Sequence, residues 1–226
     1  MRLVHYVFIF LLLCIVGSCK LDHKSGSLDE FKGKISGKSK YDLVKNAVIN
    51  RKIHEDTKCG HYISDNVYYF YLCPWKKNEK SEECTVSKND NILLNLCINT
   101  AIQMSGGNKY ETCNHLSNNS IKSIDSYKEM ELWIDDVFVD DFTNNRYYIS
   151  GCPDPILKNE ELYKDRLSVT NGYFILLNPF KVGKHQIKFS AANSCWTDER
   201  DDKTGKCPQI IKKERRAISL ILNVKD

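Results

Sequence analysis

Short apolar segments separated by turn residues are the feature that most restricts the fold of this chain. They are rich in aromatic and branched residues, as strands are, and they lie at 67–72, 92–96, 131–134, 137–139, 146–149, 173–177, 185–189 and 217–224. In one of them Ile187 and Phe189 alternate with polar residues, which predicts one buried face and one wet face. The pattern therefore predicts a mainly β fold, an antiparallel β-sandwich with one or two short helices.

Three other stretches shape this expectation. Between 41 and 53 the apolar residues recur at helical spacing, which predicts one short amphipathic helix. Residues 104–129 are polar and contain Gly106 and Gly107, so a long loop with at most one short helix is expected there. The pair Asp135 and Asp136 separates two strand-like segments and predicts a hairpin turn.

The N-terminal segment predicts export. Arg2 precedes an almost wholly apolar run from Val7 to Val16, which is shorter than the ~20 residues that a membrane-spanning helix needs. Such a run is typical of a signal peptide, predicted here at 1–18. The residues behind it are rich in Lys, Ser and Gly, so we predict a flexible tether at 19–40 and a single β-sandwich-like domain at 41–226.

The end of the leader resembles the lipobox of bacterial lipoproteins. Val16, Gly17 and Ser18 precede Cys19, and the resemblance implies that Cys19 carries a lipid anchor. Several acyl chains on one protein hold a membrane far more firmly than a single chain does. Ordinary cleavage near Ser18 is the alternative, since the same small residues also satisfy the rule for that cleavage.

The cysteine count agrees with export. The chain has ten cysteines, of which Cys14 lies in the leader and Cys19 is the predicted lipid carrier. Eight remain, an even number that predicts disulfides in an exported domain. Cys195 and Cys207 flank a charged loop and are predicted to pair locally, while the other pairings stay open. The wide spacings, without a Cys-x-x-Cys pair, argue against a zinc site.

One C-terminal stretch, from Asn171 to Phe189, resembles a signature of a family of uncharacterised secreted bacterial proteins. In that family it runs roughly Asp-Gly-Tyr-Trp, three apolar residues, Pro-Leu, Pro-Gly and His-x-Ile-x-Phe. The stretches 132–147 and 84–94 are similar to the family's upstream hairpin and Cys-x-Val strand step. The resemblance implies a secreted β-rich domain, attaches no reaction to it, and makes Cys59–Cys84 a candidate disulfide.

This chain departs from that signature at Asn171, Phe174 and Val182, so residue 171 supplies no carboxylate. Asn171-Gly172 and Val182-Gly183 are interpreted as turns, because Gly and Asn adopt positive φ at little cost. His185 opens a strand, and a structural role, holding a neighbouring backbone carbonyl, is favoured over a role in ligand binding.

Two constellations with possible chemistry are interpreted as structural. The acidic cluster Asp135, Asp136, Asp140 and Asp141 lacks the alternating ligands and central Gly of a calcium loop, so a turn and a solvated loop are expected. The catalytic residues of a hydrolase could be Ser105 as nucleophile with His61, His115 or His185 as base. Ser105 does not lie in the Gly-x-Ser-x-Gly motif of a nucleophile elbow, which argues against this role.

An aromatic binding surface is the third constellation. Most of its members are expected to pack in the core or across strands: Tyr68, Tyr69, Tyr71, Tyr147, Tyr148 and Tyr173. Trp196 is the exception, because it sits in the charged loop between Cys195 and Cys207, where a large aromatic favours a preorganised contact.

These features favour an exported, lipid-anchored protein that binds a protein or a glycan and catalyses no reaction. A secreted hydrolase on the same scaffold and a structural envelope protein are the alternatives. The sequence carries no cofactor-binding motif. Lys and Arg (33) exceed Asp and Glu (29) only slightly, which does not predict a nucleic-acid partner.

Overall fold

Two stacked β-sheets form the body of the protein in the computed structural model. The structure describes residues 25–26, 34–49, 59–64, 66–74, 82–103, 109–152, 154–155, 166–193 and 214–226. The predicted leader, the anchor residue Cys19, the contact residue Trp196 and the pair Cys195–Cys207 all lie outside these ranges. What the sequence predicts for them stays a prediction.

The described chain contains two α-helices, one 3-10 turn and eleven strands. The helices are α1 (Lys40–Ile49) and α2 (Lys109–Asp125), and the 3-10 turn is Phe142–Asn144. The strands are β1 (Ser25–Gly26), β2 (His61–Ser64), β3 (Val67–Tyr71), β4 (Glu82–Ser87), β5 (Asn91–Ile102), β6 (Lys128–Ile134), β7 (Val137–Val139), β8 (Arg146–Gly151), β9 (Ser168–Leu177), β10 (Gly183–Asn193) and β11 (Glu214–Lys225).

The predicted β-sandwich is confirmed, and its sheets are mixed. One sheet has the order β1-β7-β6-β10-β11-β4 and the other the order β2-β3-β5-β9-β8. Most of the described strand pairs are antiparallel, but β1–β7, β3–β5 and β4–β11 are parallel. The β3–β5 pair is parallel because β4, which separates them along the chain, crosses to the other sheet.

Strands β5 and β9 are buried on both faces. Leu94, Leu96 and Ile175 face the other sheet, where they meet residues such as Phe189 and Leu222. Leu93, Phe174 and Leu176 face the opposite way, onto helix α1. Strand β9 is therefore buried at every position and β5 at its first eight, whereas β10 and β11 show alternating burial because one of their faces meets water.

Helix α1 is confirmed, and it covers the outer face of the five-stranded sheet with Leu43, Val44, Ala47 and Val48. Ile35, which precedes it, is 7% exposed and packs into the same cluster. Further upstream, Ser25–Gly26 pairs in parallel with Phe138–Val139. Parts of the predicted tether 19–40 thus contact the domain.

The polar stretch 104–129 is not a long loop, since most of it forms the 17-residue helix α2. Leu116, Ser120 and Ile124 are buried at four-residue intervals, which gives the helix one covered face. A disulfide from Cys113 to Cys152 ties the helix to the chain after β8. The helix was not expected because Asn and Ser, which are frequent in it, are weak helix formers. Among its residues with described burial, only three positions form the buried stripe.

A second disulfide joins Cys59, which precedes β2, to Cys84 in β4. This is the pair that the family resemblance implies. Because β2 and β4 belong to different sheets, the bond links the two layers of the sandwich. Both disulfides indicate an oxidising, exported environment.

Asn171 and Gly172 do not form the predicted turn but lie inside β9. Opposite them the β5 register skips from Leu96 to Ile98, and Cys97 in this bulge has φ +69°. A Cβ on Gly172 would stand 2.7 Å from the Cys97 carbonyl oxygen, so the bulge requires glycine for close backbone approach. The other predicted turn is present, since Gly183 has φ +144° where β10 begins.

Gly172→Ala should lower the free energy of unfolding by about 3 kcal/mol, because the added methyl forces the β5 and β9 backbones apart. Gly37→Ala is the control: its φ of +78° is strained for alanine, but a Cβ there meets nothing within 4 Å. It should cost about 1 kcal/mol. Chemical denaturation of both variants measures the difference, and equal losses would contradict the account of the bulge.

Candidate binding cleft

An open cleft lies at one end of the sandwich, between the β2–β3 turn and the β4–β5 turn. Its volume is about 790 Å³, within the size range of small-ligand sites. Because β4 and β5 belong to different sheets, the cleft sits where the chain passes from one layer to the other. It is lined by Tyr62, Ile63, Ser64, Asn66, Ser87, Asn89 and Asp90.

A buried carboxylate, Asp90, connects the two turns. Asp90 is only 3% exposed, and its Oδ2 accepts hydrogen bonds from the Tyr62 hydroxyl and the Ser87 N–H, both at 2.8 Å. The Asp90 N–H in turn donates to the Ser87 carbonyl oxygen at 3.0 Å. The carboxylate thus fixes the β4–β5 turn and holds the aromatic side chain that stands across from it.

The ring of Tyr62 is an exposed aromatic surface that is held in place. It is 56% exposed, yet its edge contacts Tyr68 with ring centroids 4.6 Å apart. Tyr68 in turn packs on Phe70 at 5.0 Å. The hydrogen bond to Asp90 raises the pKa of Tyr62 to about 12, so the hydroxyl keeps its proton at neutral pH. The ring is therefore already ordered in the protein by these contacts.

Amide and hydroxyl groups surround this ring. Asn66 and Asn89 are exposed, and Asn66 adopts a left-handed backbone (φ +60°) that its residue type tolerates. The Asn66 carbonyl oxygen is occupied by the backbone and side-chain N–H groups of Asn91, at 2.8 and 3.2 Å. The Ser64 hydroxyl oxygen is buried and has no hydrogen-bond partner in the described part of the chain. The cleft thus presents neutral donors and acceptors beside an aromatic surface.

His185 lies elsewhere, at the hairpin between β6 and β7. Its Nδ1 donates to Asp135 Oδ2 at 2.6 Å, and its Nε2 donates to the Lys181 carbonyl oxygen at 2.8 Å. The other Asp135 oxygen accepts the Gln186 N–H at 2.8 Å. Both ring nitrogens therefore face acceptors, which is the pattern of a charged imidazolium that braces a turn. The binding role considered for His185 stays a prediction.

The charge of His185 follows from the same contacts. Partial burial lowers the pKa of His185, but the hydrogen bonds to Asp135 and Lys181 outweigh it and place the pKa above 6.5. The stability gained from the pair is therefore complete below the unfolded-state pKa and is lost as pH rises through the folded-state value.

The acidic cluster divides between a turn and a short helix. Asp135 and Asp136 occupy the predicted hairpin turn with φ of +49° and +61°, and Asp136 pairs with Lys188 at 2.9 Å. Asp140 and Asp141 precede the 3-10 turn. Within the described ranges, no three His, Cys, Asp or Glu side chains are grouped to hold a metal ion.

The tyrosines named from the sequence mostly pack as expected. Tyr69 and Tyr173 are 2% and 7% exposed, and Tyr68, Tyr71 and Tyr147 are half-buried. Tyr148 is exposed, and its hydroxyl bonds the Ser117 hydroxyl at 2.6 Å. The three histidines of the hydrolase hypothesis lie on β2, α2 and β10, and Ser105 lies outside the described residues.

Sequence reasoning missed Tyr62 and Asp90. Asp90 stands in the polar turn 87–90 between two strands, and Tyr62 belongs to a run of tyrosines, so each had an ordinary structural explanation. Their contact depends on β2, β3 and β5 lying side by side, and spacing along the chain does not show that arrangement.

Comparisons with known proteins found no match to this chain. No family model, no curated protein and no solved structure matches it. In the described part, no helix is both long and apolar enough to cross a membrane. The function of this protein is therefore inferred from the site itself.

Asp135→Asn should lower the pKa of His185 and destabilise the fold by about 1 kcal/mol at pH 6, because the amide offers only one acceptor oxygen. The loss should shrink as pH rises through the His185 pKa, because the imidazolium is then gone in both proteins. Denaturation at pH 6 and pH 9, with NMR titration of the His185 ring, measures both effects.

Asp136→Asn is the matched control for this change. It has the same left-handed backbone, but its carboxylate is exposed and pairs only with the Lys188 ammonium among the contacts described. Its effect should stay below about 0.5 kcal/mol and leave the His185 titration unchanged. If the His185 ring of the Asp135→Asn protein titrates like that of the parent, the hydrogen bond to Asp135 does not hold the imidazolium as proposed.

Proposed function

We propose that this protein is exported, is held at a membrane by a lipid on Cys19, and binds a glycan in the cleft at Tyr62 without catalysing a reaction. The observation that carries the proposal is the exposed Tyr62 ring, fixed by the buried Asp90 carboxylate and surrounded by amides. A sugar offers an apolar C–H face to such a ring and hydroxyl groups to the amides.

The polar groups of the cleft favour a neutral, hydroxyl-rich ligand. Asn66 and Asn89 carry amides that both donate and accept, and the buried Ser64 hydroxyl oxygen still lacks a partner within the described residues. A flat apolar patch, which would favour a protein ligand, is not what these side chains form.

A hydrolase is the weaker alternative. Glycoside hydrolysis ordinarily uses two carboxyl groups on either side of the scissile bond. Asp90 is buried and its Oδ2 already accepts two hydrogen bonds, so this carboxylate holds the turn and Tyr62 in place. This arrangement supports binding over turnover. If no glycan binds, the remaining alternative is a structural envelope protein without a ligand.

Tyr62→Ala should weaken glycan binding at least about tenfold, or roughly 1.4 kcal/mol, because the stacking surface is lost. The full chain is first screened against a panel of neutral, acidic and N-acetylated oligosaccharides. Affinity of the variant for the tightest binder is then measured by calorimetry.

Tyr41→Ala is the control, because Tyr41 is exposed to a similar degree (47%) but lies on α1 and does not line the cleft. Its affinity should match that of the parent. Undiminished binding by a folded Tyr62→Ala protein would reject the cleft as the site. Release of shortened sugars during the assay would favour the hydrolase.

Cys19→Ser should release the protein from membranes, because the lipid needs the thiol. Cys14→Ser is the matched control, since Cys14 lies within the predicted leader, and that variant should stay in the membrane fraction. Membrane fractionation and intact mass measure both. A Cys19→Ser protein that still carries the lipid mass would overturn the anchor.

A further inference from the structure

Two buried thiols lie outside the binding cleft and both disulfides. Cys73 is 2% exposed and Cys97 is 0% exposed, and both are in the thiol form in the structure. Both belong to the apolar cluster between the two sheets. The two disulfides indicate an oxidising environment, in which cysteines are usually paired. Two unpaired cysteines in one buried cluster are therefore unusual.

The parallel β3–β5 ladder places the two residues side by side. Tyr71 stands opposite Asn95 in this register, and the Leu72 N–H continues the ladder with a 2.8 Å hydrogen bond to the Asn95 carbonyl oxygen. Extending this register by two residues along both segments places Cys73 opposite Cys97, beyond the last paired residues of the ladder. Neighbouring strands are about 5 Å apart, which lies within the Cα separation that a disulfide spans.

The bulge in β5 turns Cys97 toward Cys73. Leu94 and Leu96 face the other sheet and Leu93 faces α1, so regular alternation would place residue 97 on the α1 side. With φ +69° at the bulge, Cys97 instead joins Leu96 in the cluster between the sheets, and Ile98 takes the α1 side. Gly172 is part of the same arrangement, since no larger residue fits against the bulge.

The surroundings of the thiols agree with this proximity. Burial raises the pKa of the Cys97 thiol well above its ordinary value, and the neighbouring Cys73 adds to the effect. The Cys73 Sγ also lies 3.9 Å from the Tyr127 hydroxyl. In the finished fold both side chains are buried, so an oxidant would have to reach them while the chain is folding.

We infer that Cys73 and Cys97 form a third disulfide in the exported protein. One thiolate attacks the disulfide of an oxidant such as oxidised glutathione, releases one glutathione thiol and forms a mixed disulfide. The second thiolate displaces the other glutathione. One S–S bond replaces two S–H bonds, and two electrons and two protons pass to the oxidant. All described cysteines are then paired. With Cys14 in the predicted leader and Cys19 as the predicted lipid carrier, Cys195 and Cys207 are left for each other.

The test is peptide mapping of the unmodified full chain. The reduced chain is refolded in a glutathione buffer, unfolded in denaturant with an alkylating reagent, and digested without reductant. The Cys59–Cys84 and Cys113–Cys152 cross-links mark the correctly folded fraction. In that fraction we expect a Cys73–Cys97 cross-linked peptide and no alkylation at either residue. Alkylation of both, or a cross-link from either to Cys195 or Cys207, would overturn the inference.

Alanine variants add a second measurement. Cys73→Ala should leave one additional alkylated thiol, at Cys97. It should also lower Tm by roughly 5–15 °C, as expected for losing a loop closure of this length. Cys97→Ala and the double variant should lose about as much, because each removes the same bond. Losses that add up in the double variant, and that persist in reductant, would show two independent core thiols instead.

Discussion

The burial of β5 and β9 on both faces is the constraint on which the rest of the structure depends. One face of this pair forms the core with the six-stranded sheet, and the other needs the cover of α1 and Ile35. A sandwich of two sheets alone would leave the outer faces of Phe174 and Leu176 in water. The same pair positions both special features, since β5 begins at the cleft and reaches the buried thiols at its bulge.

The strand content could be predicted from the sequence because it depends on local pattern. The apolar residues clustered within β5 and β9 and the alternation in β10 both follow from which faces are buried. Helix α2 could not be predicted, because its buried stripe is short and its stability also depends on the Cys113–Cys152 bond. Gly172 was misread for a related reason: its signal is shared with turns, and only the bulge opposite explains it.

The candidate site was harder to predict than the fold. The sequence pointed to Trp196 and His185, whereas the geometry brings together Tyr62 from β2 and Asp90 from the β4–β5 turn. Asp90 is a turn residue by sequence, and its burial and its bond to Tyr62 arise only when β2, β3 and β5 lie in one sheet. His185 shows the converse case, because a strand-opening histidine was expected to hold a backbone carbonyl and it contacts that of Lys181.

We propose that ligand recognition occurs at the Tyr62–Asp90 cleft. This is tested by following the amide NMR shifts of the isotope-labelled full chain during titration with the tightest-binding oligosaccharide. We expect saturable shifts concentrated at residues 62–66 and 87–90, with the 135–136 hairpin turn and His185 unaffected. Shifts concentrated at residues 194–213 around Trp196, or no shifts with any glycan, would show that the cleft is not the binding site.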